Sequence, residues 1–438
     1  MTQYEINMNK ENTDSKLITS LFDTSRLSKD SLAILNNFDE IIQGVRPLNS
    51  RQLQKLPENI RNLSHQLTDD RASRRLGYMN DNVQLSSYVR YYTWWNLVRL
   101  TRLFSNLPDS VFPQPVAAGS AGKTGSASTP LPPIHCIDLG SGPLTVVNAL
   151  WLARPELRSL PLTWYCLDVS ANSLALGEDL FLSIVARTQA SGTSPVQPWK
   201  IIRVKGPFGT AIKEKAVFLT CANMLNELDQ ASDMPPEFQT KKYYEQLQRY
   251  CEKDAGIVLV EPGVPKAART LSLLRGRFIK DGRTIAAPCP HEEECPMSGF
   301  KAYTGSKNKW CNFAFTTTDA PARLQKLSDA AKLPKERATL SFMAIAGGID
   351  ARVKPEHDRA ISTDIRITSD KLRLPNYMCG YYGCSKDGLV LVSLPDENNS
   401  RLPKPPFRPR SGDLIQVKIK SPDSLPRDEK SGALIVKL

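Results

Sequence analysis

The feature that most constrains the fold of this chain is an alternation, beginning at residue 134, of short apolar runs and longer stretches with helical periodicity. Such an alternation is typical of a mostly parallel sheet covered by helices on both faces. We therefore predict an α/β fold with a doubly wound, Rossmann-like sheet. The candidate strands are residues 134–139, 162–168, 200–204, 216–221 and 257–261, with weaker closing strands at 312–317 and 339–346.

The chain divides into segments of different composition. Residues 1–112 carry a stripe of aromatic and aliphatic side chains at helical spacing, which predicts an N-terminal helical region. Residues 113–133 are rich in Pro, Gly, Ser and Ala, the composition of a flexible linker. The predicted sheet domain spans 134–350 and contains a Cys-rich insertion at 285–311. Residues 351–438 hold 16 Lys and Arg against 11 Asp and Glu, and predict a small basic β module.

The net charge of +12 and a pI near 9.2 point toward an anionic partner such as nucleic acid. No apolar run approaches the roughly 20 residues that span a bilayer, and no secretory signal is recognisable. Acidic residues among the first 30 are unlike an organellar transit peptide, so a bacterial-type cytosol is the simpler prediction and the mitochondrial matrix the alternative. Six N-terminal arginines more readily form a solvated helix face than a phosphate site: Arg71, Arg74, Arg75, Arg90, Arg99 and Arg102.

A glycine-rich turn follows the first predicted strand and precedes a helix. It contains Asp138, Gly140, Ser141 and Gly142, and its glycines permit a tight turn and close approach of the backbone to a ligand. A phosphate-cradling P-loop is excluded because no Gly-Lys-Ser/Thr follows, and the dinucleotide fingerprint is imperfect in its later part. The turn resembles motif I of S-adenosylmethionine-dependent methyltransferases, which predicts a cofactor site.

Three further residues fit that resemblance. In these methyltransferases an acidic residue ending the second strand holds the ribose hydroxyls, and Asp168 matches that position. Asn223 and Glu227 follow the fourth predicted strand, where methyltransferases commonly contact cofactor or substrate. A glycine turn of an unrelated α/β protein is the alternative interpretation, but the order of strand, glycine turn, helix, strand and terminal Asp favours a cofactor.

The sequence identifies no catalytic residue. Amino-methylating enzymes of this class place an Asn/Asp-Pro-Pro-aromatic tetrad after the fourth strand, and this chain has none there. Cys221 is a candidate nucleophile for pyrimidine methylation, although burial in the strand is the favoured interpretation. Glu261 is either a general base or a cap at the end of a strand.

Cysteines form a second group of candidate site residues. Nine cysteines without an export signal argue against a disulfide framework. Thiolates in loops suit zinc or an iron-sulfur cluster, but the spacing differs from that of zinc ribbons. Cys136, Cys166, Cys221 and Cys251 lie in or beside predicted elements and are expected to be packing thiols, unlike Cys289, Cys295 and Cys311.

Several motifs together resemble the methyltransferase-like family that assembles the mitochondrial small ribosomal subunit, and its bacterial relatives. The resemblance covers roughly residues 134–415. In chain order the motifs are Gly140-Ser141-Gly142-Pro143, Val260-Glu261-Pro262-Gly263, Ala287-Pro288-Cys289-Pro290-His291 with Cys295-Pro296, and Trp310-Cys311-x-Phe313.

The resemblance implies a [4Fe-4S] cluster, with zinc as the alternative metal. It implies that the ligands are Cys289, Cys295, Cys311 and Cys384, with Cys379 as the alternative fourth ligand. It also implies small-subunit ribosomal RNA and ribosomal proteins as partners.

Three functions are compatible with these features. The first is an S-adenosylmethionine-dependent methyltransferase of ribosomal RNA. The second is a non-catalytic iron-sulfur assembly factor that binds ribosomal RNA and uses the methyltransferase fold only for binding. The third, a radical enzyme, is the weakest because the Cys-x-x-x-Cys-x-x-Cys spacing of such enzymes is not present.

Overall fold

A computed structural model describes residues 15–68, 78–114, 132–189, 196–230, 234–299, 309–348, 362–398, 404–419 and 421–438. The chain forms two compact units. The larger comprises Leu21–Pro288 and Trp310–Lys354, and the smaller comprises Met1–Ser20, Cys289–Lys309 and Pro355–Leu438. Most of the linker predicted at 113–133, and Arg71, Arg74 and Arg75, lie outside the described residues.

The strands are β1 (Ser15–Ser20), β2 (Ile134–Leu139), β3 (Leu162–Asp168), β4 (Lys200–Lys205), β5 (Ala216–Ala222), β6 (Cys251–Glu261), β7 (Ile285–Ala287), β8 (Phe313–Thr316), β9 (Arg337–Ile345), β10 (Ser362–Ile367), β11 (Leu372–Leu374), β12 (Met378–Ser385), β13 (Gly388–Pro395), β14 (Asp413–Lys418) and β15 (Leu434–Lys437). The helices are α1 (Lys29–Asn36), α2 (Phe38–Val45), α3 (Ser50–Thr68), α4 (Asn82–Tyr88), α5 (Trp94–Asn106), α6 (Thr145–Ala153), α7 (Ala171–Gln189), α8 (Leu225–Gln230), α9 (Pro236–Tyr250), α10 (Pro265–Lys280) and α11 (Ala322–Ala330). None of the helices described here is long and apolar enough to cross a membrane.

The sheet of the larger unit has the strand order β4-β3-β2-β5-β6-β9-β7, and β8 also pairs with β9. The first five strands are mutually parallel, whereas β9 runs antiparallel to its neighbours. The predicted α/β class and parallel sheet are thus confirmed. The sequence indicated them because continuous apolar runs are typical of strands buried on both faces. The strand order reverses direction between β2 and β5, and ligands of open α/β sheets bind at the carboxyl ends of strands at such a point.

The N-terminal helices belong to the core of the larger unit. Helix α5 is buried along most of its length, and the Trp94 indole N–H donates to the carbonyl of Leu35 at 2.7 Å. A π-helical turn, Val89–Thr93, joins α4 to α5. The Arg154 side chain, after α6, donates to the backbone carbonyls of Phe104 and Leu107. Burying polar groups costs little free energy when each has such a partner.

The smaller unit contains a mostly antiparallel sheet of order β1-β14-β10-β12-β13-β15, with β11 beside β12. Its core is apolar and includes Ile365, Val390 and Ile415. Strand β1 corrects the expectation that residues 1–112 are helical throughout, because it pairs with β14 near the other end of the chain. Helical periodicity in a window cannot register such a distant backbone pairing.

Candidate functional site

The glycine-rich turn has the backbone conformation that its sequence requires. Gly140 and Gly142 have φ values of 66° and 50°, in the left-handed region that glycine adopts without strain. A Cβ atom on Gly140 would lie 2.8 Å from the Met224 Cβ atom, so only a glycine fits there. The Ser141 N–H donates to the carbonyl of Leu167 at 3.0 Å, which ties the turn to the end of β3.

Asp138 lies beneath the turn and is completely buried. Its Oδ1 accepts a hydrogen bond of 2.7 Å from the Thr220 hydroxyl, and its backbone carbonyl accepts one of 2.7 Å from the Ser141 hydroxyl. No hydrogen-bond partner of Asp138 Oδ2 exists among the residues that the structure describes. Burial raises the pKa of Asp138 to about 7, although the hydrogen bonds oppose the rise. Asp138 therefore joins β2 to β5 and supports the turn from below.

Asp168 fastens the turn from the neighbouring strand. Its Oδ2 accepts from the Gly142 N–H at 2.9 Å, and its Oδ1 accepts from the Ser170 N–H at 2.8 Å. Burial raises the pKa of Asp168, and these backbone donors act against the rise. The Ser170 hydroxyl in turn donates to the Asn80 side-chain oxygen at 2.9 Å.

A second segment, residues 223–227 at the start of α8, meets the glycine turn. Asn223 has a left-handed φ of 59°, and its N–H donates to the carbonyl of Val260. The side chain of Met224 packs over Gly140, and Glu227 is exposed. Glu261 is buried and accepts from the first N–H groups of α8, Leu225 and Asn226, at 2.9 and 3.1 Å. Glu261 therefore caps the N-terminus of α8, whereas the general base and the strand-end cap that the sequence predicted both stay predictions.

The N-terminal segment adds residues that the sequence did not identify. Met79 and Asn80 adjoin the turn: an added Cβ on Gly142 would lie 3.8 Å from Met79 Cε. Burial raises the pKa of Tyr88, and the nearby carboxylates of Glu227 and Asp168 raise it further. The sequence placed Tyr88 in a core stripe, and no local pattern linked it to Asp168 or Glu227, which follow much later in the chain.

The buried cysteines have the properties expected of packing thiols. Cys136, Cys166, Cys221 and Cys251 are buried, and burial raises the pKa of each thiol, in Cys251 to about 12. A thiol that stays protonated is a poor nucleophile. The expectation that Cys221 is a packing residue is thus confirmed.

The proposed metal ligands lie in both units. Cys289, Cys295 and Cys384 belong to the smaller unit, and Cys311 belongs to the larger. Cys289, Cys295 and Cys311 are half-buried, whereas Cys384 is buried. His291 Nε2 lies 3.0 Å from Cys384 Sγ. The described part of the chain contains no group of three or more His, Cys, Asp or Glu side chains placed to hold a metal ion. The donor chemistry fits a thiolate site, whereas the described arrangement does not bring three donors together.

Cys379, the alternative fourth ligand, has a different environment. It is completely buried in β12, and its Sγ lies 3.9 Å from the carbonyl of Pro395 and 4.0 Å from Arg408 Nη1. Cys384 lies in the same strand. Its side chain contacts His291, which belongs to the Cys-rich insertion.

Comparison with known families gives one match. Residues 125–372, more than half of the chain, match the family described as mitochondrial small ribosomal subunit Rsm22. No curated protein matches the chain.

Solved structures that the chain resembles are distant. A methyltransferase from Geobacter sulfurreducens, in complex with S-adenosyl-L-homocysteine, shares 11% identity over 50% of this chain and 86% of its own, with a TM-score of 0.27. Precorrin-6y C5,15-methyltransferase from Geobacter metallireducens shares 12% over 50% and 82%, with a TM-score of 0.27. A Thiobacillus denitrificans methyltransferase, also in complex with S-adenosyl-L-homocysteine, shares 12% over 49% and 85%, with a TM-score of 0.26. No conclusion about this chain depends on similarities this low.

Proposed function

Since this chain belongs to the Rsm22 family of the mitochondrial small ribosomal subunit, we propose that it binds S-adenosylmethionine at the 140–144 turn and acts on small-subunit ribosomal RNA. One observation carries the cofactor proposal. At the point where the strand order reverses, Asp168 locks Gly142 by a 2.9 Å hydrogen bond and so preorganises a turn whose glycines allow close backbone approach. Gly140, Ser141, Gly142, Asn223 and Glu227 would surround the cofactor, Asp168 would hold its ribose hydroxyls, and Asp138 would support the turn.

The cofactor proposal is tested by calorimetric titration with S-adenosylmethionine. Asp168→Asn replaces one carboxylate oxygen by an amide that faces a backbone N–H, so one charged hydrogen bond is lost and affinity should fall roughly tenfold. Asp179→Asn, the same substitution at an exposed position of α7, should leave affinity unchanged. Equal affinity in both variants, or no binding by the unchanged chain, would contradict the proposal.

One observation favours a second candidate, the non-catalytic assembly factor. Asp138, Asp168 and Glu261, the carboxylates at the strand ends, accept hydrogen bonds from hydroxyl or backbone donors within the fold. Groups engaged in this way support a binding loop better than they move protons. Transfer of labelled methyl to small-subunit RNA, lost in Asp168→Asn, would establish the enzyme; cofactor and RNA binding without transfer would establish the assembly factor.

We further propose that Cys289, Cys295, Cys311 and Cys384 are ligands of a [4Fe-4S] cluster, with zinc as the alternative. The support is the soft donor set and the half-buried loop positions of Cys289, Cys295 and Cys311. Anaerobic purification followed by iron, sulfide and zinc analysis tests it. Cys384→Ser should lose metal and Cys379→Ser should retain it. Metal-free protein would refute the site, and the reverse pattern would assign Cys379 as the fourth ligand.

The proposed partners are small-subunit ribosomal RNA and ribosomal proteins. The charge of +12 supports RNA, because cationic surfaces gain affinity by releasing counterions from phosphates. Affinity should therefore fall as salt rises from about 50 to about 200 mM. The family description favours the mitochondrial matrix, the alternative location, over the bacterial-type cytosol.

A further inference from the structure

A polar cavity of about 170 Å³ opens in the larger unit, and its lining includes none of the residues proposed above for the cofactor. Trp95, Arg99, Lys335, Glu336 and Arg337 contribute to its walls. Pockets for whole small molecules have volumes from about 300 Å³ upward. This cavity therefore suits a single charged group of a larger ligand.

Lys335 brings a cation to this cavity. Its ammonium nitrogen lies 5.5 Å from the ring centroid of Tyr91 and 5.8 Å from that of Trp95, so the two rings pack beside the cation. No carboxylate within the described residues forms an ion pair with Lys335, although Glu336 is next to it in the chain. Burial first, and then the charge of Arg99, lowers the pKa of Lys335 to about 8.

Arg99 places a second cation beside the first. Its guanidinium donates to the Thr339 carbonyl at 2.7 Å and to the Asn96 side-chain oxygen, both of them neutral acceptors. These bonds hold the planar group in one orientation, and neither acceptor compensates its positive charge. Burial lowers the pKa of Arg99 to about 10, so the protein environment disfavours this charge. Two adjacent, partly desolvated cations are unfavourable unless an anion joins them.

The cavity lies at the same edge of the sheet as the glycine turn. In the antiparallel pairing of β6 with β9, Glu261 is opposite Ser341, so Thr339 lies beyond the carboxyl end of β6. A Cβ atom on Gly263 would lie 3.1 Å from the Thr339 Cβ atom, so Thr339 is next to the residues that follow β6. A ligand that occupied the cavity would therefore face the edge at which the proposed cofactor binds.

We propose that the cavity lined by Arg99 and Lys335 binds one backbone phosphate of an RNA strand. The inference rests on the proposed function, which supplies RNA as the partner. The rigid guanidinium fork of Arg99 matches the geometry of phosphate oxygens, and the ammonium of Lys335 adds a second donor and charge. The rings of Tyr91 and Trp95 beside Lys335 lower the local dielectric constant and so strengthen the attraction. Arg337 also lines the cavity and adds to the positive field.

Fluorescence anisotropy with a labelled single-stranded oligouridine and with a small-subunit ribosomal RNA transcript, each from 50 to 200 mM KCl, tests this site. Lys335→Met keeps an alkyl chain against the two rings, and Arg99→Gln keeps a hydrogen-bond donor. Each should weaken binding about tenfold and make the salt dependence shallower by about one phosphate contact. Lys326→Met, the same charge change at an exposed position of α11, should have little effect on binding. Lys335→Arg keeps the positive charge and should retain binding, which shows that the loss in Lys335→Met comes from the missing charge.

The outcomes separate the cavity from the proposed function. If the unchanged chain binds RNA and both cavity variants keep its affinity and salt dependence, the cavity inference is wrong and the RNA partner stands. If the unchanged chain binds no RNA, the proposed partner fails as well. Inorganic phosphate, added at constant ionic strength, tests whether the cavity binds free phosphate instead of RNA. If phosphate raises the melting temperature in a manner lost in Lys335→Met, while RNA binding is unaffected, the cavity takes free phosphate and the RNA proposal is overturned.

Discussion

Replacing Asp138 by Asn should change how stability depends on pH. Asp138 is completely buried, and burial raises its pKa from an ordinary value of 3.8 to about 7. Asn is close in shape to the protonated carboxyl, and its amide oxygen can still accept from the Thr220 hydroxyl. The substitution therefore removes a titrating group and keeps most of the contacts that the neutral acid makes.

The direction of the effect follows from the raised pKa. Below about pH 4 the carboxyl is protonated in both folded and unfolded chains, so it contributes no pH dependence. Between about pH 4 and pH 7 the unfolded chain loses the proton while the folded chain keeps it, and stability falls as pH rises. The interval between 3.8 and about 7 corresponds to about 4 kcal/mol. At pH 4, Asp138→Asn and the unchanged chain should thus have nearly the same free energy of unfolding. At pH 8 the variant should be more stable than the unchanged chain by up to about 4 kcal/mol.

The assay is urea unfolding followed by tryptophan fluorescence at pH 4, 6 and 8. All six tryptophans belong to the larger unit, so the signal reports the unit that contains Asp138. Asp179→Asn, at an exposed position, is the control and should show no such trend. If the difference in unfolding free energy between Asp138→Asn and the unchanged chain is the same at pH 4 and pH 8, Asp138 is ionised in the fold and the reasoning is refuted.

Two more predictions use the same unfolding assay at one pH. Gly140→Ala should lower the free energy of unfolding by at least about 1–2 kcal/mol, because φ is 66° and the new Cβ would meet Met224; Gly276→Ala, in α10 with open space around it, should raise it by about 0.5–1 kcal/mol. Equal effects at the two glycines would contradict this. Arg154→Met should cost about 3 kcal/mol, since two buried carbonyls lose their donor, whereas Arg323→Met, in an exposed ion pair, should cost far less. A larger loss in Arg323→Met would contradict this account.

Local patterns predicted the sheet of the larger unit well. The expected strands at 134–139 and 162–168 coincide with β2 and β3, and the later ones differ from the observed strands mainly at their ends. An apolar run and the glycines that end it are properties of neighbouring residues, so the sequence carries them directly. The same reasoning located the Asp138–Gly142 turn and Asp168, which the structure joins by the hydrogen bond to Gly142.

Pairings between distant segments could not be predicted in this way. Strand β1 pairs with β14, and Cys289–Lys309 belongs to the same unit as the last part of the chain, although the sequence placed these residues in an insertion of the sheet domain. The pairing of two strands uses backbone N–H and C=O groups, which nearly all residues carry. Composition therefore does not show which strands pair. The boundaries drawn from composition stay predictions.

The sequence alone therefore determined the parallel sheet, the glycine turn and the residues at its strand ends, because apolar periodicity and glycine conformation act over a few residues. Only the tertiary structure decided which distant side chains share a surface. It brought Tyr88 to the strand ends and placed Arg99 of α5 beside Lys335, next to β9. The position of each of these side chains depends on how α5 and its neighbours pack against the sheet, and that packing is the sum of many contacts between residues far apart in the chain.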